Sequence, residues 1–178
     1  VIVGTSGHGR LINPTSRVSC WRPEYFINMG TAYKSCAQPS VKNQDLYTDT
    51  QWNCGGRDNQ WDPPNSGKCG VCGDPYQGPR KSEAGGVYAT GTIVREYTKG
   101  STILVEVDIT VSHWGNMKFK LCPVNDKTVP ATQECFDRYP LARADGKGNE
   151  IKIDGERIYA VELVLPSELT CTQCVMQV

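Results

Sequence analysis

Apolar and polar residues alternate most clearly in the second half of the chain. In "STILVEVDITVSHW" (101–114), Val105, Val107 and Ile109 alternate with Leu104, Glu106 and Asp108, the period-two pattern of a half-buried strand. "NMKFKLC" (116–122) alternates through Met117, Phe119 and Leu121. "VYATGTIVREY" (87–97), "NEIKIDG" (149–155) and "RIYAVELVLP" (157–166) are rich in β-branched and apolar residues. Five strands separated by turns predict an all-β, antiparallel β-sandwich. "CVMQV" (174–178) reads as the start of a further strand, so the sandwich looks cut at its C-terminus. One short helix is predicted over 21–29. The first half lacks either period. Residues 54–86 are dense in Gly, Pro, Asn and Asp and read as an ordered loop region held by disulfides. No internal repeat is visible.

Composition narrows the partners. The 178 residues suit one domain. Lysine plus arginine number 19 and aspartate plus glutamate 19, so the formal net charge is zero. That balance argues against nucleic acid and against an anionic membrane surface, and it suits an uncharged partner such as a glycan. No apolar run approaches the roughly 18 residues that span a bilayer. The leading "VIVGTSG" resembles the tail of a signal peptide, with Thr5 and Gly7 at the minus-three and minus-one positions of a cleavage before His8.

Nine cysteines run from Cys20 to Cys174, a spread that suits a disulfide framework in an oxidising compartment. Nine is odd, so at least one has no partner within the chain. The pairs Cys69/Cys72 and Cys171/Cys174 are far wider apart than the about 15 to 20 residues of a zinc ribbon, which ranks structural disulfides above zinc or redox work. Cys122 and Cys135, flanking a Pro-Val-Asn-Asp loop, are the best local candidates for one bridge. The only "NPT" triplet, at Asn13, carries proline in its middle and is no glycosylation acceptor.

Neither a Gly-x-Ser-x-Gly elbow nor a glycine-rich phosphate loop is present, and nothing singles out two of the 19 acids as a hydrolytic pair. Two histidines remain, His8 and His113. Their plain reading is two exposed or hydrogen-bonded imidazoles. The sharper one depends on His8 becoming the N-terminus. Its α-amine, with an ordinary pKa of about 7.7 to 8.0, and its Nδ1 then chelate one metal together. His113 adds a third nitrogen, and an all-nitrogen tetragonal set suits Cu(II).

From His8 onward the chain resembles the lytic polysaccharide monooxygenases of auxiliary activity family fifteen, which carry the chitin-binding type-4 domain. The resemblance rests on "HGRLINPTSRVSCWR", "CGVCGDPYQGPRKSEAGG", "ITVSHWG", "FKLCPVND", "ECFD" and "LPSELTCTQCVMQ", in that order. It implies an immunoglobulin-like or fibronectin III-like sandwich with long disulfide-stapled loops. It also implies a histidine brace in which His8 and His113 are the metal ligands and the catalytic residues, holding one copper ion. Dioxygen or hydrogen peroxide would be the co-substrate and an external reductant the electron source. Oxidation at C1 or C4 would cleave crystalline chitin or cellulose. A secreted, monomeric enzyme follows, with neither nucleic acid nor membrane as partner. Trp114 is a candidate substrate-binding residue that would stack on sugar rings, or else a partly buried residue of the sandwich.

The resemblance divides the chain into residues 1–7, a signal-peptide remnant, and 8–178, a single copper monooxygenase-like domain truncated at its C-terminus. The family's axial tyrosine falls beyond the match, as would the partner of the odd cysteine. Val111 and Ser112 replace the family's usual alanine and asparagine before the second histidine, and Val111 is expected to crowd the open face of the metal. The alternatives are a non-catalytic chitin- or carbohydrate-binding protein of the same fold, and a copper-binding protein without polysaccharide activity.

Overall fold

A computed structural model describes residues 8–36 and 49–178. Its strands are β1 (His8–Asn13), β2 (Thr102–Val111), β3 (Gly115–Met117), β4 (Lys120–Pro123), β5 (Ala142–Arg143), β6 (Ile151–Ile153), β7 (Arg157–Val164) and β8 (Cys174–Gln177). One sheet has the order β1-β2-β7-β5, and β3-β6 and β4-β8 form two-stranded ribbons. Every pairing is antiparallel.

The alternation in the sequence becomes one core. Ile103, Val105 and Val107 of β2 and Tyr159 and Leu163 of β7 point inward from the large sheet. Met117, Phe119, Leu121 and Ile151 meet them from the ribbons, with Leu141 closing the end. This is the sandwich arrangement, two layers sharing their apolar faces. Each such side chain contributes about 1.5–3 kcal/mol by leaving water. Leu104, between two inward positions, points out and is exposed.

Three expectations need correction. The segment 87–97 is a turn at 87–88 followed by irregular chain, and it forms no strand. Gly91 at φ +77° breaks its pleat, and Val87, Ile93 and Tyr97 are left exposed. This segment helps line a groove of about 1740 Å³, together with Cys72, Ile109 and Met176. The single strand expected over 116–122 splits between two ribbons. Phe119, fully buried, gives its carbonyl to the Leu141 amide at 2.8 Å, and the chain changes partner there. The helix expected over 21–29 is a 3₁₀ turn, Pro23–Tyr25, followed by one turn of α-helix, Phe26–Met29, which stops at Gly30 with φ +56°. The first strand, β1, is not visible in the alternation pattern. Its six residues are all half-buried and, among the described residues, it pairs with a strand on one side only.

Four disulfides staple the chain, two of them in its turn-rich first half. Disulfides join Cys20–Cys36, Cys54–Cys69, Cys122–Cys135 and Cys171–Cys174, and Cys72 is free. The Cys122–Cys135 bridge agrees with the sequence, and so does the ranking of disulfides above zinc. Cys69 bonds Cys54 rather than acting with Cys72 as a dithiol. Loops of about 15 residues closed in this way stabilise a domain by about 3 kcal/mol each through the unfolded chain.

Candidate metal centre

The two histidines meet at one end of the sandwich. On β2, Val111 lies opposite His8 and Ile109 lies opposite Gly9, so Thr110 is the extra residue of a β-bulge. Bulges interrupt the ladder and re-aim neighbouring side chains. Here Thr110 Oγ1 donates to the His8 carbonyl oxygen at 3.2 Å, replacing lost ladder pairing. Glycine at position 9 lets β1 approach this closely. A Cβ there would stand 2.9 Å from Ile109 Cδ1 and 3.0 Å from the Asp108 carbonyl oxygen. The other side of β1 is held as well, since the Gly9 amide donates to the Thr50 carbonyl at 2.9 Å.

His113 follows the end of β2, in the turn that leads into β3. Trp114 and Gly115 adopt φ +63° and +109° there. A left-handed backbone is costly for a bulky residue such as Trp114 and marks a constrained turn. Ser112 fastens the turn from both sides. Its amide donates to Glu156 Oε1 at 3.4 Å, and its hydroxyl oxygen accepts from the Trp114 amide at 3.4 Å. Glu156 sits in the β6–β7 turn, which wraps the Tyr159 hydroxyl. That oxygen accepts from the Asp154 and Gly155 amides at 2.9 and 3.0 Å. The Arg157 guanidinium lies 4.5 Å from the centre of the Tyr159 ring and 2.6 Å from the Asp154 carboxylate.

His8 and His113 line one shallow cavity of about 120 Å³, with Ile109, Val111, Ser112, Trp114 and Ile153 around them. Neither a carboxylate, a thiol nor a tyrosine lines it among the described residues. Correspondingly, no group of three or more His, Cys, Asp or Glu side chains among the described residues is arranged to hold a metal ion. The titratable side chains that line the cavity are therefore the two imidazoles. Val111 lines the cavity beside both imidazoles. Trp114 is 66% exposed, so its indole is available on the same surface rather than buried in the sandwich.

Behind His8 lies a charged network that sequence reasoning missed. Asp49, 1% exposed, is held by Arg22, with Nε to Oδ2 at 2.5 Å and Nη2 to Oδ1 at 2.9 Å. Arg10 reaches the same carboxylate at 3.4 Å and the Asp108 carboxylate at 3.0 Å. Burial alone would raise the Asp49 carboxyl; the Arg22 hydrogen bond and the charges of Arg22 and Arg10 outweigh it and hold it below the usual carboxylate range. The Asp49 hydrogen bond raises Arg22 in turn. Such a network links residues distant in sequence; Arg10 and Arg22 lay in a segment singled out by motif, but Asp49 and Asp108 did not. The bulge at Thr110 has no signal either, because apolar and polar residues go on alternating through Ile109, Thr110 and Val111.

The family described as "Lytic polysaccharide mono-oxygenase, cellulose-degrading" matches residues 8–178. The fold is similar to that of a lytic polysaccharide monooxygenase from Thermobia domestica, solved in the Cu(I) state. The TM-score is 0.79 and the identity 40%, over 95% of this chain and 80% of that one. No curated protein sequence matches the chain. The chain belongs to the lytic polysaccharide monooxygenases, copper-dependent enzymes that cleave polysaccharides oxidatively. Within them it stands at the level of the AA15 group, to which the Thermobia protein is assigned.

Proposed function

We propose that His8 and His113 hold the copper ion of this enzyme as a histidine brace and that the substrate is a crystalline β-1,4-linked glycan, chitin or cellulose. The observation that carries the reading is the convergence of these two histidines, far apart in sequence, on one cavity. The donor chemistry fits, because imidazoles without competing carboxylate or thiolate suit Cu(II). The third nitrogen is the α-amine of His8. It becomes available when the residues before His8 are removed, and the family match begins at His8. Removal by a signal peptidase implies secretion, which accords with four disulfides.

Bound there, copper supplies the one-electron chemistry that activates dioxygen or hydrogen peroxide against a glycan C–H bond, with electrons from an external reductant. The chain's own residues orient and select. The Thr110 bulge and the Thr50 carbonyl fix the first residues of β1. Ser112 and Glu156 fix the turn that carries His113. Trp114 offers an exposed apolar face beside the site for stacking on a sugar ring. A net charge of zero avoids repelling or attracting ions at a neutral, insoluble surface. The protein acts as a monomer in this reading.

The test is a Cu(II) titration and an assay of oxidised oligosaccharides from chitin and from cellulose, using protein whose N-terminal peptide mass shows a start at His8. His113→Ala is expected to lose tight copper binding and oxidative release together. Unchanged release from that variant rules the assignment out.

A further inference from the structure

The Arg22–Asp49–Arg10–Asp108 network includes Arg10 of β1, two residues after His8, and its cross-strand partner Asp108, and the reaction as read above gives it no role. Its geometry is specific. Asp49 is buried and takes a two-point contact from Arg22. Arg10 bridges Asp49 and Asp108, its guanidinium also 5.8 Å from the centre of the Tyr25 ring. The Arg22 guanidinium lies 4.9 Å from the Trp21 ring. One residue beyond Asp49, the Thr50 carbonyl accepts the Gly9 amide at 2.9 Å. Residues 9 and 10, immediately after His8, are thus gripped from both sides. β2 holds them on one edge, through Ile109 and Asp108. The Asp49–Thr50 corner holds them on the other, and that corner is itself anchored by Arg22.

We propose that Asp49 is a positioning residue for His8: its carboxylate, shared by Arg22 and Arg10, holds the Asp49–Thr50 corner against Gly9 and Arg10 and so fixes where His8 enters the cavity. The proposal rests on the reading of His8 and His113 as copper ligands. The physical case lies in the single edge of β1. A first strand paired on one side only frays easily, and a bulge beside His8 weakens the ladder just where accuracy is needed. A chelate through a terminal amine and its own side chain tolerates little wandering of that terminus. A buried carboxylate locked by the fork of Arg22, with Arg10 as a second, longer contact, supplies the missing rigid edge.

The experiment compares the wild-type protein starting at His8 with Asp49→Asn and with the milder Arg22→Lys, which keeps the charge and loses the fork. The second variant serves if the first does not fold. Three readouts are taken: Cu(II) affinity by competitive titration, the Cu(II) electron paramagnetic resonance spectrum, and amide hydrogen exchange of the peptide 8–13. Expected are a tenfold or greater loss of Cu(II) affinity, a changed hyperfine splitting, and faster exchange in 8–13 with β4 and β8 still protected. A folded variant with wild-type affinity and spectrum overturns the proposal, even if it melts earlier, since that is what a merely structural role produces. His113→Ala serves as the control. If it binds copper like the wild type, the copper reading fails and the positioning role fails with it. If it loses copper while a folded Asp49→Asn or Arg22→Lys variant binds normally, the positioning role alone fails.

Discussion

Thr110 donates its hydroxyl to the carbonyl of His8 at 3.2 Å, at the β-bulge where the register of β1 on β2 shifts so that Val111 rather than Thr110 stands opposite His8. Thr110→Val keeps the shape and removes the donor. It is expected to cost about 0.5–1.5 kcal/mol, the net worth of one such hydrogen bond. Urea denaturation measures this, and Cu(II) affinity is expected to fall with it. A variant as stable as the wild type would mean that water serves the His8 carbonyl equally well.

Trp114 separates a binding role from a structural one. It is exposed, and its φ of +63° is costly for any residue with a Cβ. Trp114→Gly therefore removes a strained backbone and few buried contacts. Stability is expected to stay within about 1 kcal/mol of wild type or to rise, because glycine adopts this φ freely. Retention on chitin or cellulose is expected to fall. The check is a thermal melt alongside a pull-down on both polysaccharides; full retention would remove Trp114 from the binding face.

Acid stability follows from Asp49. Its carboxyl is held below the ordinary value of about 3.9 by Arg22 and Arg10, in spite of its burial. A depressed folded-state pKa stabilises the protein above the unfolded-state value, and that stabilisation is lost as pH falls through the folded-state value. The wild type is therefore expected to lose stability below about pH 4. Asp49→Asn is expected to be less stable at pH 7, by about 3–5 kcal/mol for a broken buried pair, and to show a shallower fall in acid. Denaturation curves between pH 7 and pH 3 compare the two slopes. Parallel slopes would mean that Asp49 does not carry the acid transition.

The sandwich was legible because β2 and β7 bury one face and wet the other, which writes a period of two into the residues. Val105 and Val107 read inward in the sequence and lie inward in the fold. The strand expected over 87–97 failed because β propensity measures fitness for a pleated surface, whereas pairing also needs a neighbour. Gly91 bends the backbone away from the pleat. β1 was legible only through the family motif, since a half-buried edge strand leaves a weak pattern. His8 and His113 stood out by their rarity. Their meeting is a matter of register, set by a bulge that no local pattern announces. Asp49 was invisible because its partners, Arg22 and Arg10, lie 27 and 39 positions away.

The central claim is that a free His8 amine completes a copper site with His113. The most direct measurement is a Cu(II) titration of two purified forms of the chain, one starting at His8 and one keeping the residues from Val1. Tight, one-to-one binding is expected of the first form and weak binding of the second, whose amine is tied up in the peptide bond from Gly7. Equal affinity in the two forms would contradict the claim.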